Sequence, residues 1–396
     1  QTFYYHNGDN YLKPVPVGRV SNQNIHAIER ADVVMLYHPE FKSATERLAE
    51  HRRDYDGYEV ETVNILNLFN EFSSGRQDPT AIRDFARMLA QRDPDFRYLL
   101  LMGDGTYDYR NLSIGLDNHN FIPVYQTKGS LHPIDAFPTD DYYALLSDGE
   151  GDKNFVGAMD IVVGRLPVST SQMAEDVVDK IISYDTNKDA YGDWRTRIAF
   201  AADDEDNNLH VDQADKLAEE VEVRNPIYTQ SKIYYDSYVQ ESFPGGDRYP
   251  AASEALNRSV QNGVLLLNYL GHGGPKGWAQ ERVLKISDIE TWNNGDRLPV
   301  LLTATCSFTG FDDPSLVSAG EACIRKANGG VVALFTTVRA VYSSSNERLA
   351  KAVFSQIFKN TNGVAQTFGD IMLKAKNQNV SLNVTNDRKI FVDGQP

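Results

Sequence analysis

The sequence predicts an α/β protein in which two units of mostly parallel sheet lie side by side, each flanked by helices. Strand-like and helix-like segments alternate from about residue 31, which is the pattern of parallel strands joined by helical crossovers. A polar connector over 185–195 interrupts the alternation, and the pattern then restarts. We therefore predict one unit over 31–187 and a second over 193–396, preceded by a lead-in segment over 1–30.

The first unit is predicted from buried strand runs and helix-start signals. Val33–Tyr37 and Tyr98–Met102 are short apolar runs of the kind found in buried strands. Asp78 followed by Pro79 is typical of a helix start, because proline suits the first helical turn. In chain order we expect strand 33–37, helix 41–55, strand 60–65, a helix from 78, strand 98–102, strand 160–163 and helix 170–184, capped by Ser171 or a neighbour.

The second unit is predicted in the same way and contains the two most apolar strands of the chain, 264–270 and 300–305. The full order is strand 198–202, helix 210–223, strand 228–235, strand 264–270, strand 300–305, a helical stretch over 316–327, strand 331–335, and helices near 346–358 and 364–376.

Composition places the chain among folded proteins and excludes a nucleic-acid partner. Of its 396 residues, 41% are hydrophobic and 24% are charged, which is ordinary for a globular protein. With 39 basic and 55 acidic residues the net charge is 39 − 55 = −16, and that field repels duplex nucleic acid. No apolar run reaches the roughly 18 residues of a membrane span. The abrupt start at Gln1 is typical of the interior of a longer protein.

The chain has two cysteines, Cys306 and Cys323. Two cysteines are too few for a disulfide framework, and their spacing does not fit a CxxC metal or redox motif. Cys323 falls within the predicted helical stretch 316–327, so we expect a buried thiol of the core. The sequence also lacks the HExxH motif of zinc peptidases, the GxSxG motif of serine hydrolases and the phosphate-loop pattern. We therefore do not expect zinc-peptidase or serine-hydrolase chemistry.

Two strand ends carry groups that suit nucleophilic chemistry. The strand over 264–270 runs directly into Gly271-His272-Gly273, and the strand over 300–305 ends at Cys306. In parallel sheets, reactive groups collect at the carboxyl ends of strands. If the two strands are neighbours, His272 and Cys306 emerge at one edge of the sheet.

A thiol next to an imidazole forms a nucleophile and base. A free cysteine is only a few per cent thiolate at neutral pH, and a nearby histidine assists its ionisation. Gly273 lacks a Cβ, so its N–H can approach a developing oxyanion, with the N–H of Cys306 as the second donor. Taken singly, Cys306 is more often a core residue, and His272 is equally ambiguous. The two together favour a catalytic pair.

These two junctions resemble the signature shared by caspases, legumains and gingipains. The details resemble the gingipain family of cysteine peptidases, namely Asn268-Tyr269-Leu270-Gly271-His272-Gly273, Trp278, and Cys306 followed by Gly310-Phe311. Further landmarks of the same family are Leu99–Asp104, Val162–Arg165 and Gly320–Ala322, so the resemblance covers most of 31–391. It implies a caspase/gingipain-like fold, with 193–396 as the catalytic unit and Cys306 and His272 as the catalytic pair.

Other segments resemble the sortase branch of this family, which serves type IX secretion in Bacteroidetes. They are Asn70–Gly75, Gly103–Asp108 and Pro138–Tyr143. The resemblance implies an enzyme on the outer face of the outer membrane that removes the C-terminal sorting domain from secreted cargo. Its acyl-enzyme could then be transferred to an amine on anionic lipopolysaccharide. It implies attachment proteins of the secretion system as partners, and no required cofactor.

The gingipain resemblance also implies an acidic residue behind the histidine and an acidic residue in the specificity pocket. For the first, the run after strand 198–202 offers Asp204, with Asp203 close behind; a solvated acidic turn or a calcium site is the alternative. For the second, the alignment offers His210 or Asp212, with Trp278 also assigned to substrate binding. The alignment in this region does not reproduce the family pattern, so the sequence does not predict arginine specificity.

A calcium loop is the remaining candidate site. Asp148, Glu150 and Asp152 place oxygen ligands at alternating positions, but the twelve-residue spacing of an EF-hand is absent, and a solvated turn is the alternative. Calcium bound there would be structural. At the other end, 391–396 replaces the usual terminal run of the family, which predicts a truncation or missing residues there.

Two other functions remain open from the sequence. One is a general gingipain-like endopeptidase that hydrolyses peptides without transfer. The other is a catalytically silent fold that docks cargo within a secretion complex, against which the presence of Cys306 and His272 argues.

Overall fold

The computed structural model describes residues 13–16, 18–116, 118–129, 132, 134–151, 157–361, 363–380 and 390–394. The strands are β1 Val33–Tyr37, β2 Val60–Asn64, β3 Tyr98–Met102, β4 Tyr125–Gln126, β5 Pro138–Thr139, β6 Val162–Leu166, β7 Arg197–Ala202, β8 Thr229–Tyr234, β9 Glu241–Phe243, β10 Gly246–Arg248, β11 Leu266–Leu270, β12 Gly273–Gly274, β13 Gly277–Trp278, β14 Leu284–Lys285, β15 Val300–Ala304, β16 Ala333–Thr337, β17 Asn360–Thr361, β18 Val364–Ala365 and β19 Ile390–Gly394. The helices are α1 Lys42–Asp56, α2 Ile65–Phe72, α3 Pro79–Arg92, α4 Ser171–Thr186, α5 Glu205–Arg224, α6 Pro250–Asn262, α7 Ile286–Thr291, α8 Ala319–Arg325, α9 Ser343–Ile357 and α10 Phe368–Val380.

Two parallel sheets lie side by side, as the sequence predicts. In the first unit the strand order is β2-β1-β3-β6, and in the second it is β16-β15-β11-β7-β8, with all neighbours parallel. Strand β19 lies between β6 and β16, parallel to the first and antiparallel to the second. Within the described residues the two sheets therefore form one continuous ten-stranded sheet. The predicted α/β class, with two mostly parallel sheets flanked by helices, is confirmed.

The central strands are buried along their whole length. Every residue of β1, β3, β11 and β15 is buried, because helices cover both faces of the sheet. Each unit accordingly has two apolar clusters, one on each face. This double burial explains why these strands are unbroken apolar runs rather than alternating patterns.

Helix starts follow the predicted capping signals. The Asp78 side chain accepts the Thr80 N–H at 2.9 Å at the start of α3, and Thr170 accepts the Met173 N–H at 3.2 Å at the start of α4. Helices α2, α6 and α7 have no counterpart in the predicted pattern. Helix α2 follows β2 without a loop, and the Asn64 side chain caps it, so the sequence shows no break there. Among the described residues, no helix combines the length and apolar composition that crossing a membrane requires.

A fully buried arginine ties loops of the first unit together. The Arg165 guanidinium, from β6, makes two hydrogen bonds of 2.7 Å to the Asp140 carboxylate. It also donates to the carbonyls of Gly103 and Ile122 at 2.8 and 2.9 Å, and lies 5.1 Å from the ring centre of Phe311 in the second unit. A buried charge with this many partners fixes the geometry of every segment it contacts.

A second buried ionic cluster joins the carboxyl end of β3 to helix α8. Arg325 Nη2 lies 2.6 Å from Asp104 Oδ2 and 2.8 Å from Glu321 Oε1. Burial raises the pKa of Asp104 to about 7, and the nearby Glu321 adds to this while Arg325 opposes it. One guanidinium thus serves two carboxyl groups, and burial favours the protonated form of Asp104.

This arrangement predicts a pH-dependent contribution of Asp104 to stability. The folded chain holds the Asp104 proton more tightly than the unfolded chain does, so this stabilisation is present at low pH and is lost as pH rises through about 7. An Asp104→Asn variant does not titrate. Its free energy of unfolding should therefore improve relative to the parent as pH rises from about 5 to about 8.

Urea denaturation of both proteins across this range measures the difference, with the exposed Asp135→Asn as a control for general charge effects. If Asp104→Asn instead becomes progressively less stable than the parent as pH rises, Arg325 holds Asp104 as a carboxylate and the assignment is wrong.

Candidate active site

Three adjacent parallel strands end in one row at the edge of the second sheet. Leu270 of β11 is the register partner of Ala202 in β7 on one side and of Ala304 in β15 on the other. His272 lies two residues beyond Leu270, and Cys306 lies two residues beyond Ala304. Neighbouring strands are about 4.8 Å apart, so the structure brings the predicted histidine and cysteine to the same short stretch of sheet edge.

The cysteine lies at a sharp turn after β15 and is partly exposed. Its sulfur accepts the Val341 N–H at 3.5 Å and lies 3.7 Å from the Val341 carbonyl oxygen. The next residue, Ser307, has a left-handed φ of 52°, and its N–H donates to the Arg339 carbonyl at 3.2 Å. The sulfur is thereby in contact with both polar groups of the Val341 main chain.

The loop after the cysteine is anchored to the first unit. Asp312, fully buried, receives two hydrogen bonds of 2.7 Å from the Arg339 guanidinium. Gln126, from β4, donates to the same carboxylate at 2.8 Å, and the Tyr107 N–H donates to the Asp312 carbonyl at 3.0 Å. Both segments that flank the Cys306 sulfur are thereby held by the ion pair between Asp312 and Arg339.

The backbone of the histidine is fixed on three sides. The His272 N–H donates to Asp203 Oδ2 at 3.0 Å, and the His272 carbonyl accepts from Tyr269 Oη at 2.6 Å and from the Ala279 N–H at 2.9 Å. A Cβ on Gly271 would come within 2.4 Å of both Asp203 and Tyr269, so only glycine fits before the histidine. The position of the ring is therefore set by the turn itself.

The imidazole faces an acidic residue and a second histidine. His272 Nε2 lies 2.9 Å from Asp206 Oδ2 and 3.9 Å from Glu205 Oε2. His210 stands edge-on to the His272 ring at a centroid distance of 5.4 Å, with its Nε2 3.5 Å from Asp206 Oδ2. The hydrogen bond from His272 lowers the pKa of Asp206, and its charge acts in the same direction. Burial, followed by the nearby His272, lowers the pKa of His210 and favours its neutral form.

Asp206 reaches the imidazole through an unusual backbone. Asp206, Asn207 and Asn208 all have left-handed backbone angles, with φ between 57° and 61°, inside the first turns of α5. Such angles cost roughly 1 kcal/mol or more for each residue that is not glycine. Asn and Asp tolerate them best, which explains this polar run. The strained turn brings the Asp206 side chain to the histidine.

Asp204, the predicted acidic partner of the histidine, lies elsewhere. Its carboxylate accepts the Tyr249 Oη–H at 2.7 Å, and its Oδ1 is buried without a partner among the described residues. Asp203, the predicted alternative, contacts the histidine through the main chain. The carboxylate at the ring is that of Asp206, because the left-handed turn rotates the chain after Glu205.

Gly273, the predicted oxyanion donor, is packed against the cysteine strand. A Cβ at this position would lie 2.5 Å from Thr305 Oγ1 and 3.0 Å from the Gly277 carbonyl oxygen. The residue after His272 and the residue before Cys306 are thus in direct contact. No side chain larger than hydrogen fits at position 273 without moving the two catalytic segments apart.

The residues predicted to bind substrate occupy three different environments. His210 is buried beside His272, as described above. Asp212 is exposed on α5. Trp278 is fully buried, and its ring stacks on that of Tyr269 with the ring centres 4.2 Å apart. It therefore supports the histidine turn through Tyr269, whose hydroxyl binds the His272 carbonyl. The structure does not bring these three together as one pocket.

A groove of about 720 Å³ opens beside the histidine turn. Its lining includes Gly274, Leu316 and Val317. Its described lining includes Lys276, Arg282 and Lys285 and contains no Asp or Glu. The groove is therefore locally basic in a chain of net charge −16.

The predicted calcium loop is already engaged by protein groups. Asp148 forms an ion pair with Arg87, and Glu150 Oε2 accepts the Ser147 N–H at 3.1 Å. Asp152 lies outside the described residues. Among the described residues, His and carboxylate side chains gather at ligand-like separations around His272, in the sets Asp206–His210–His272 and Asp203–Glu205–His272.

Two contacts of the site were not predicted from the sequence. Asp206 lies in the acidic run that was considered, but Asp204 and Asp203 were the residues expected to contact the histidine. Val341, whose N–H reaches the sulfur, follows β16 in a loop with no motif. Cys323 is a buried core residue of α8, as predicted.

Comparison with known proteins identifies relatives of this fold. A family model described as peptidase family C25 matches residues 26–396. The structure is similar to the Arg-specific cysteine proteinase gingipain R (RgpB), with a TM-score of 0.72 and 16% identity over 95% of this chain and 79% of that chain. It is also similar to the RgpB pro- and mature domain complex of Porphyromonas gingivalis, with a TM-score of 0.71 and 17% identity over 92% of this chain and 78% of that chain.

A third similar structure is dimeric latent PorU from Porphyromonas gingivalis. Its TM-score is 0.54 at 24% identity, over 96% of this chain and 31% of that chain, so this chain spans about a third of that protein. No curated protein sequence matches the chain. These likenesses establish the fold, and the family model establishes the kinship.

The contact at Gly273 predicts a specific double-mutant result. Gly273→Ala should lower the free energy of unfolding by about 1–3 kcal/mol, the usual cost of overpacking. Thr305→Ala removes the 2.5 Å clash, and its Oγ1 has no hydrogen-bond partner among the described residues, so this change alone should be nearly neutral.

The double variant Gly273→Ala/Thr305→Ala should recover much of the loss, because the two positions couple directly. Thermal and urea denaturation of the four proteins gives the coupling. Strictly additive effects would show that residues 273 and 305 are not in contact.

Proposed function

The chain belongs to peptidase family C25, the gingipain family, and from this kinship we propose a cysteine endopeptidase of the sortase type. Cys306 is the nucleophile, His272 the proton carrier and Asp206 the residue that orients the imidazole. The observation that carries this proposal is the pair of adjacent strands β11 and β15, which end in register two residues before His272 and Cys306.

The chemical steps follow from this pair. The Cys306 thiol gives its proton to the imidazole, and the thiolate attacks the substrate carbonyl to form a carbon–sulfur bond. The backbone N–H groups of Gly273 and Cys306 stabilise the oxyanion. The imidazolium then protonates the leaving amine as the carbon–nitrogen bond breaks, which leaves a thioester on Cys306. Water or an amine, losing a proton to the imidazole, releases the product and restores the thiol.

The imidazole can serve these steps because its two nitrogens have different partners. Nε2 lies 2.9 Å from Asp206 Oδ2, so its hydrogen is directed to that carboxylate. Nδ1 is then the nitrogen that exchanges a proton with the thiol. The ionised Asp206 stabilises the imidazolium that forms when the thiol gives up its proton.

The groove beside the histidine supports a substrate other than an arginine peptide. A pocket for an arginine side chain needs a carboxylate, and the described groove lining offers three basic residues instead. A substrate segment with neutral or acidic side chains complements this surface. We therefore assign the C-terminal sorting domain junction of secreted cargo as the cleaved bond, in line with the resemblance of 70–75, 103–108 and 138–143 to the sortase branch.

This assignment places the protein on the outer face of the bacterial outer membrane. Its partners there are cargo proteins with sorting domains and the attachment proteins of the secretion system. The acceptor for the thioester is an amine on anionic lipopolysaccharide. Hydrolysis without transfer, as in a general gingipain-like endopeptidase, is the alternative outcome of the same intermediate.

The role of Asp206 predicts how alkylation of Cys306 depends on pH. Cys323 is buried, so iodoacetamide reports on Cys306. Asp206→Asn removes the charge that stabilises the imidazolium, so the pH midpoint of alkylation should move upward. Peptidase activity should fall at least about tenfold, since a positioned acid–base group supplies roughly 10²–10⁴-fold.

Asp204→Asn is the matched comparison, because Asp204 lies two residues away and pairs with Tyr249. Its midpoint should move less than that of Asp206→Asn. An equal or larger shift in Asp204→Asn would mean that Asp204 is the acidic partner in solution.

The sortase assignment predicts the products of a purified reaction. The protein is incubated with a cargo protein that carries its sorting domain, with and without a small primary amine. Mass spectrometry should show loss of the sorting domain and, with the amine, a cargo whose new carboxyl end carries the amide.

Cys306→Ala should give neither product, while Cys323→Ala, as a control thiol, should give both. Cleavage without any amide adduct would establish a hydrolase and exclude transfer. Cleavage that persists in Cys306→Ala would overturn the nucleophile.

A further inference from the structure

We propose that the catalytic histidine also belongs to a binding site for a divalent transition-metal ion of the zinc type, formed by His272, His210 and Asp206, and that metal binding there blocks the peptidase reversibly. The ligand atoms of the three side chains all lie within 4.8 Å of one another. Two imidazoles and one carboxylate are a ligand set that zinc commonly uses.

The separations between the Asp206 carboxylate and the two imidazoles suit a tetrahedral ion. Zinc binds nitrogen and oxygen at about 2.0–2.2 Å, so ligand atoms around one tetrahedral ion lie about 3.3 Å apart. Asp206 Oδ2 is 2.9 Å from His272 Nε2 and 3.5 Å from His210 Nε2, on either side of that value. The two rings are perpendicular, with an interplanar angle of 90°, so they can face one ion without stacking on each other.

The surroundings hold two of the three ligands in place. The turn that carries His272 is fixed by three backbone hydrogen bonds, and His210 is buried in α5. Asp206 is presented by three consecutive left-handed residues. Strained backbone of this kind is concentrated at active sites and ligand-binding sites.

The second possible ligand set is less suitable. It consists of Asp203, Glu205 and His272, with a single imidazole. Asp203 already accepts the His272 N–H at 3.0 Å and the Glu205 N–H at 3.4 Å. A carboxylate that already accepts two main-chain hydrogen bonds is a poorer metal ligand than the Asp206 carboxylate, whose partners are the two imidazoles.

Metal binding at Nε2 would switch off the proton transfer. A metal-bound neutral imidazole carries its hydrogen on Nδ1, so Nδ1 has no lone pair with which to accept the thiol proton. The ion also replaces the hydrogen bond between Nε2 and Asp206. This inhibitory effect rests on the proposed function, whereas the binding of the metal does not.

The experiment measures zinc binding to the full chain by competition with a chromophoric chelator, independently of activity. The parent should bind one zinc ion, and His210→Ala should bind it more weakly by roughly tenfold or more. His51→Ala is the matched control, since His51 Nε2 pairs with Asp185 at 2.9 Å but belongs to neither of the two ligand sets. Its affinity should equal that of the parent.

Two further measurements separate the thiol from the proposed ligands. Cys306→Ala should keep the zinc affinity of the parent, because the three ligands do not include the thiol. In the active parent, zinc should inhibit the peptidase and a chelator should restore its activity. His210→Ala should need a higher zinc concentration for the same inhibition.

Equal zinc affinity in the parent and His210→Ala, or loss of binding in Cys306→Ala alone, would overturn the metal site. If zinc binds as predicted but the parent shows no peptidase activity, the proposed function fails and the metal site stands.

Discussion

The hydrogen-bonded register of β7, β11 and β15 is the constraint on which the site depends. Ala202, Leu270 and Ala304 form one row across the three strands, and the catalytic segments follow this row within a few residues. In a sheet buried on both faces, a slip of one residue would exchange the side chains packed on the two faces. Core packing in the second unit therefore fixes the relative position of the nucleophile and the base before any polar contact between them forms.

The first unit contributes stiffness to the catalytic loops of the second. Arg165 holds Asp140 and lies over Phe311, which follows the cysteine by five residues. Gln126 reaches across to the Asp312 carboxylate that Arg339 also binds. Each of these contacts involves a buried charged group, Arg165 or Asp312, so they resist small displacements better than apolar packing would. A fold of two units thus supports a site that is carried by one of them.

Much of this arrangement could be predicted from the sequence, because buried parallel strands are unbroken apolar runs. The end of β11 before His272 and the end of β15 before Cys306 both followed from such runs. Asp206 could not be predicted in the same way. Sequence patterns assume right-handed helix starts, and the left-handed backbone over Asp206–Asn208 points a different carboxylate to the ring. Trp278 illustrates a related difficulty, since a motif residue near a histidine supports the turn as readily as it lines a pocket.

The position of β19 in the sheet has a consequence for the order in which the protein folds. This strand joins the two parallel sheets, yet its residues, 390–394, come after every strand that it connects. A chain made from its amino end therefore completes the strands on both sides before the strand between them leaves the ribosome. During that interval β6 and β16 each have an unpaired edge, and such edges are prone to pair with other chains. The seam between the two sheets thus becomes protected only after the strands on both sides of it have been made.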